Sequence, residues 1–377
     1  MALLPNSEQT MLRDSARAFL TEQAPVAHLR ALRDANDPDG FSRELWARSA
    51  EMGFAGVLIA EGHGGLGLGM HEAAVIAEQL GHTLTPSPFL SSAVLGAQLL
   101  AASGHAALQG HWLPRIAAGQ AITALALDEH AQHRPQAIAT EAKADGDGYV
   151  LSGQKCFVLD GHVADLLFVV AKTSAPGTSV FAVDPKAPGV QIERTAMADA
   201  HNAARIRFDG VRLNADALMG KRDQAAHSDH WLAPVLDAGR LCVAAMLQGA
   251  GDEAFGRTTT YLKERQQFGR TIGEFQALQH RAAQLYVELE LSRAALARAV
   301  EAFDSGADTV PSLTAVAKAK ACASAGLAVQ EGVQMHGGMG MTDAFEMGFF
   351  MKRVRVLQTL LGDAGFHESR LASLSGY

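Results

Sequence analysis

Tyr261–Gln279 reads YLKERQQFGRTIGEFQALQ. The stretch lies inside a segment from Leu232 to Phe303 that has no proline after Pro234. Apolar residues recur there at helical spacing, as at Leu278, Ala282, Leu285, Leu289 and Leu291. In the middle stands Arg265-Gln266-Gln267-Phe268-Gly269-Arg270, and a glycine between helical runs marks a break or C-cap. The spacing therefore predicts helix, short turn, helix. Two arginines, an amide and an aromatic at such a junction can hold an anion and a flat ring. Taken alone, the plainer reading is a solvated turn.

Outward from this stretch the helical grammar continues, strongest over Ala315–Val329, to about Leu374. Upstream, from about Ala121 to Gly220, it gives way to short β-type runs. These are Ala121–Leu127, Tyr149–Ser152, Cys156–Leu159, Leu166–Ala171, Ser179–Val183, Val190–Arg194 and Ala204–Phe208. Asp145-Gly146-Asp147-Gly148, Pro176-Gly177 and Pro188-Gly189 punctuate them, which predicts a compact antiparallel barrel or sandwich. Residues 1 to about 120 read as helical again. Ser7 with Glu8 and Gln9 opens a helix through Phe19; Trp46, Met52 and Phe54 mark a buried helix end; Ala73–Leu80 and Leu90–Leu100 continue the pattern. The expected fold class is α+β, with a helical domain at 1–120, a β domain at 121–220 and a C-terminal four-helix bundle at 221–377. The run Gly62-His63-Gly64-Gly65-Leu66-Gly67-Leu68-Gly69 lacks the Lys-Ser/Thr of a phosphate loop and reads as a flexible connector.

Composition narrows the function. Hydrophobic residues make up 48%, enough to bury a sizeable core. A net charge of −8 argues against a nucleic-acid partner, which needs a basic face. No run of about 18 apolar residues exists to span a membrane. MALLPNSEQTMLRDSARAF does not read as a signal peptide. Cys156, Cys242 and Cys322 are far apart and odd in number, which fits a reducing cytoplasm and no metal site. The histidines show no metal-ligand spacing, including His130 and His133.

Glu264 to Gly273 with Gln276, followed by Gln334-Met335-His336-Gly337-Gly338-Met339-Gly340, resembles the acyl-CoA dehydrogenase family. Leu45-Trp46, Gly53-Phe54, Gly64-Gly65-Leu66-Gly67 and Gly153-Gln154-Lys155 fit it too, so the resemblance covers nearly the whole chain. It implies non-covalent FAD and oxidation of a fatty or steroid side-chain acyl-CoA to the 2-enoyl-CoA. A carboxylate would take the α proton while the β hydrogen leaves as hydride; the thioester carbonyl must be polarised as charge develops, and the flavin carries the redox chemistry. It also implies an electron-transfer flavoprotein-like acceptor, and a tetramer whose Arg-x-x-Phe-Gly turn reaches the neighbouring subunit's flavin. On this resemblance Arg265 meets the FAD pyrophosphate, Gln267, Phe268 and Gln276 line the cofactor, and Gln334, Gly337 and Gly338 hold its adenosine end. Phe157 would lie against the flavin and Arg240 would meet the substrate.

Four departures qualify the resemblance. The position of the family's glutamate holds Leu361, which accepts no proton. The alternative glutamate position, just before an arginine on the long helix, holds Gly239. Asp237 and Asp363 each stand two residues from those positions, about 200° around a helix. Either could serve as base only where its local backbone is not regular helix, Asp237 being the candidate carried forward, and a solvated carboxylate is the plainer reading of both. Leu127-Asp128-Glu129-His130-Ala131-Gln132-His133-Arg134-Pro135 lacks the glycine-serine turn that contacts flavin and pyrophosphate, leaving Arg134 as a substitute phosphate contact. Phe157-Val158-Leu159-Asp160 keeps an aromatic but has Leu159 in place of a hydroxyl. His336 reads as a neutral core histidine. These departures resemble the small subunits of heteromeric bacterial members. A self-sufficient homotetramer, a non-catalytic subunit and a flavin monooxygenase or oxidase of the same layout remain open.

Overall fold

The computed structural model describes residues 6–175, 177–224 and 231–377; Pro176 and the first five residues of the N-terminal reading lie outside these. The elements run helices, strands, helices. First come α1 (Ser7–Gln23), α2 (Val26–Asp34), α3 (Arg43–Glu51), α4 (Met70–Thr83), α5 (Ala97–Ser103) and α6 (Ala106–Ala117). Eight strands follow: β1 (Thr123–Ala126), β2 (Glu141–Asp145), β3 (Gly148–Leu159), β4 (Leu166–Lys172), β5 (Thr178–Val183), β6 (Val190–Ala196), β7 (Asn202–Leu213) and β8 (Leu218–Met219). Then come α7 (Leu232–Glu264), a two-stranded ribbon of β9 (Gln266–Gln267) and β10 (Arg270–Thr271), α8 (Gln276–Asp304), α9 (Val310–His336), α10 (Met347–Thr359) and α11 (Ala364–Leu374). They form two compact units, and the chain passes from one to the other within α7.

One unit comprises Leu32–Gly69 and Pro86–Gly239. Its strands pair in the order β6-β7-β3-β2-β4-β5-β8, with β1 beside β4. A single residue pair, Glu141 with Lys172, joins β2 to β4, so the sheet divides into two layers around one core. Leu167, Val169 and Ala171 of β4 alternate into that core, as do Ala204, Ile206 and Phe208 of β7. The expectation of a purely antiparallel sheet differs at β1–β4 and β2–β4, which are parallel. The two runs at Tyr149–Ser152 and Cys156–Leu159 are one strand with two register shifts, at Leu151/Gly153 and Lys155/Val158. Strand β2 has no apolar run to announce it. Leu90–Leu100 begins with a π-helical stretch, Phe89–Gly96, before α5, where a Cβ on Gly96 would stand 1.9 Å from Thr123 Oγ1. Met52 is 41% exposed, unlike its neighbours Trp46 and Phe54.

The other unit comprises Met1–Ala31, Met70–Thr85 and Arg240–Tyr377. Asn6 caps α1 in a capping box with Gln9, one residue before the expected start. Helix α9 packs against α8, α10 and α11. Helix α7 crosses α4 at glycines: a Cβ on Gly249 would stand 1.9 Å from Glu78 O, and one on Gly81 2.2 Å from Met246 O. Asp304, at the end of α8, caps α4 through the amides of Met70 (2.6 Å) and His71 (3.1 Å).

Candidate functional site

The first junction is the ribbon after α7. Arg265 N still bonds Tyr261 O (2.9 Å), and Ile272 N returns to Arg265 O (2.8 Å). Between them Phe268 (φ 54°) and Gly269 (φ 78°) make a two-residue turn with both φ positive, the mirror-type turn that suits a ribbon's twist. This replaces the simple interhelix turn expected from the sequence. Phe268 is 91% exposed, and Arg265, Gln267 and Gln276 are exposed beside it. Arg270 lies over the Phe275 ring at 4.2 Å, and Thr271 and Glu274 form a capping box. The turn is thus stiffened from behind while its outer residues face outward.

The second junction ends α9. Gly337 (φ 61°) and Gly338 are exposed, and a Cβ on either would meet open space; Gln334 is exposed too. His336 is 3% exposed, with its ring 4.4 Å from Tyr261 and 4.5 Å from Phe345, and its Nδ1 is 2.6 Å from Gly332 O. Burial lowers its pKa, which keeps the ring neutral near pH 7. Tyr261 stands one turn before Arg265, so this stack brings the two motifs side by side. Their separation in sequence concealed that.

In the β unit, Phe157 (φ 51°) sits in the β3 irregularity and is 49% exposed. The preceding Lys155 is 0% exposed and donates to Glu129 Oε1 (2.7 Å) and Leu127 O (3.0 Å). Burial pushes its pKa down to about 8 against the pull of Glu129. Burial works to raise the Glu129 pKa, but Lys155 and the amides of Thr140 and Ala139 outweigh it and hold the carboxyl below its ordinary value. The rest of the 128–134 loop is tied to itself and to β3: His133 Nδ1 lies 3.0 Å from both Asp128 oxygens, Arg134 donates to Gln132 (2.8 Å), and Cys156 N donates to Asp128 O (2.8 Å). In the glycine-rich connector, the amides of Leu66, Gly67 and Leu68 bond Gly56, Ile59 and Val57 carbonyls, so they are not offered to a phosphate.

Leu361 (φ 56°) and Gly362 (φ 107°) form a left-handed turn after α10, and Leu361 is 6% exposed. The Leu361 carbonyl lies 3.2 Å from both Arg240 Nε and His367 Nε2. Asp363 is exposed and caps α11, accepting from Phe366 N at 2.8 Å. Asp237 is 2% exposed within regular α7, and Arg240 is 4% exposed one turn on. Elsewhere Glu78, His82 and Asp252 converge beside a cleft of about 820 Å³. Arg293 bonds Asp252 (2.6 Å) and Glu78 (3.3 Å), and Arg17 lies 3.1 Å from His82 Nε2, which makes the group a charge network.

Three sequence profiles match in chain order: "Acyl-CoA dehydrogenase, N-terminal domain" over 6–120, the middle domain over 126–211 and the C-terminal domain over 231–373. The acyl-CoA dehydrogenase IpdE2 of Mycobacterium tuberculosis is 31% identical over 360 residues, 95% of this chain and 94% of that one. The chain belongs to the acyl-CoA dehydrogenase family. Among solved structures, a variant of the Tcur3481-Tcur3483 steroid ACAD matches at 32% identity and TM-score 0.87, over 98% of this chain and 97% of that one. The ChsE4-ChsE5 complex of M. tuberculosis matches at 26% identity and TM-score 0.90, with full coverage of both chains.

Acyl-CoA dehydrogenases are oxidoreductases, and the cofactor of this chain is FAD. The geometry fits such a group in one unit and fits it partly in the other. With nothing within 4 Å of a Cβ at Gly337 or Gly338, the backbone there is open to close approach by a ligand. An exposed aromatic and arginine at the ribbon suit a flat ring and a phosphate. On β3 the aromatic is present at Phe157 but Leu159 offers no hydroxyl donor. Bound FAD supplies the hydride acceptor; the protein's part is to bind, orient and exclude water.

Proposed function

We propose that this chain is the diverged partner subunit of a heteromeric, cytoplasmic acyl-CoA dehydrogenase, organised as 1–120, 121–220 and 221–377. In this assembly it lends the FAD anchor but not the base. Arg265 would meet the pyrophosphate; Gln267, Phe268 and Gln276 would line the cofactor; Gln334, Gly337 and Gly338 would take the adenosine end; Phe157 would rest on the flavin. Arg240 would meet an acyl-CoA carrying a fatty or steroid side chain, and an electron-transfer flavoprotein-like protein would take the electrons. The observation that carries this reading is the turn at Leu361–Gly362, fully formed in the backbone and bearing a leucine. Two further observations support it. Tyr286, Val287 and Leu291 expose an apolar stripe on α8 suited to a neighbouring subunit, and the ChsE4-ChsE5 relative is a complex of two components.

A homotetramer using Asp237 is the second reading, favoured by the burial of that carboxylate one turn before Arg240. The test is the visible spectrum of the chain purified alone and coexpressed with a related full-length chain that keeps the glutamate. Flavin bands only in the coexpressed assembly support the partner subunit. Bands from the chain alone that bleach anaerobically with acyl-CoA, and fail to bleach in Asp237→Asn, support the second reading. Bands of the coexpressed assembly that persist with every acyl-CoA point to an oxygenase or oxidase.

A further inference from the structure

The last turn of a helix leaves backbone carbonyls without intrahelical partners. At the end of α10 they meet Lys318, from the middle of α9. Its side chain is 0% exposed and its ammonium donates to Leu357 O (3.2 Å), Gln358 O (3.2 Å) and Gly362 O (2.9 Å), with Cys322 Sγ at 3.3 Å. Among the described residues no carboxylate pairs with it. Burial lowers its pKa, while the carbonyl oxygens and the negative end of the α10 dipole favour the charged form. Arg240 and His367 hold the Leu361 carbonyl between these contacts. Four carbonyls within six residues are therefore fixed by side chains from α7, α9 and α11.

The turn needs that support. A leucine at φ 56° costs on the order of 1 kcal/mol. A Cβ on Gly362 would lie 2.3 Å from Phe366 Cδ1, so the second position accepts only glycine. The side chain of Leu361 has no polar group to reward this geometry. We infer that Lys318 is a positioning residue: its ammonium sets where the side chain of residue 361 is presented, and the chain keeps a complete mount for a carboxylate it does not carry. The inference rests on the reading that position 361 is where the family's glutamate stands.

The test installs the missing group. Leu361→Glu is made in the full chain, loaded with FAD and, where a partner is coexpressed, with that partner's own glutamate replaced by glutamine, and incubated in D2O with acyl-CoAs from butyryl- to palmitoyl-CoA and one steroid side-chain thioester. The new carboxylate takes the α proton, the C–H electron pair moves into the thioester enolate, and the deuterated acid returns a deuteron. Mass spectrometry counts the deuterium. Leu361→Glu is expected to exchange the α position. Adding Lys318→Ala should slow it by about a hundredfold, as a misplaced catalytic group does. Ethylammonium should restore exchange and propanol should not, since only the former carries a charged donor into the space. Lys318→Gln, which keeps two N–H donors, should lose less and serves if the alanine variant does not fold. Equal exchange with and without Lys318, or equal rescue by propanol, overturns the inference. If Leu361→Glu alone is inert with every thioester, the reading of position 361 fails, and backbone amide exchange decides the inference. Lys318→Ala must then speed exchange at Leu360 and Gly362 with recovery in ethylammonium; unchanged amide exchange overturns it.

Discussion

Two turns in the same unit have the same backbone signature and opposite surroundings. Phe268-Gly269 and Leu361-Gly362 each place a bulky residue and a glycine at positive φ. The first carries a ring that is 91% exposed; the second is buried and held at its carbonyls by Lys318, Arg240 and His367. Left-handed backbone at a non-glycine residue persists only where its surroundings over-determine it. At Leu361 the chain itself does this. At Phe268 the ribbon pairing and the Arg270–Phe275 stack hold the backbone, and the Phe268 ring meets Phe275 edge-on at 6.1 Å while staying largely exposed. The difference separates a turn fixed by side chains of its own unit from one that leaves its aromatic exposed.

Substitutions that break this contrast should differ in kind as well as size. The largest effect is expected from Lys318→Met, which strips the ammonium from three carbonyls and leaves Gln358 O only its long contact with Cys322 Sγ. Stability by chemical denaturation should fall by about 3 kcal/mol, and a loss within error would remove the clamp from the account. Lys155→Met in the β unit leaves Glu129 buried beside an apolar side chain and should cost a comparable amount, about 3 kcal/mol. Arg265→Ala should leave denaturation unchanged and weaken FAD retention of the assembly roughly tenfold or more, the scale of one charge-assisted hydrogen bond. Unchanged flavin content would take Arg265 out of the anchor.

How much of this was legible in the sequence follows the same line. Helical period and β-type runs place the three regions, because burial on one face enforces that pattern. Strand β2, EAKAD, escaped because it is stabilised by its pairing with β3 and has no apolar signature of its own. The motifs at Arg265 and Gly337 were visible because their residue types are unusual for a turn. The stack of Tyr261, His336 and Phe345 that joins them was not, since a histidine before two glycines reads as ordinary core. Lys318 was invisible for a different reason. Its partners are backbone carbonyls, and those have no letter in the sequence.

The smallest expected effect is a pH dependence at the base of α4. A hydrogen bond to Asp304 raises the His71 pKa; burial opposes the ionised Asp304, but His71 and the amides of Met70 and His71 hold its pKa down. The His71 contribution is complete below its ordinary pKa near 6.5 and is lost as pH rises through the raised value. The Asp304 contribution is present above about 3.8 and is lost as pH falls through the lowered one. The pair should therefore stabilise most between these limits, by no more than about 0.5 kcal/mol, because both side chains are about a third exposed and screened. His71→Gln should flatten that part of the stability–pH curve, whereas a curve of unchanged shape would contradict the pairing.

On the proposed reading this chain anchors FAD without supplying a base. Its most direct test is anaerobic titration of the purified chain, saturated with added FAD and without any partner, against acyl-CoAs while the flavin absorbance is followed. The flavin bands are expected to persist with every thioester and to bleach only when a glutamate-bearing related chain is added. Stoichiometric bleaching by this chain alone would contradict it.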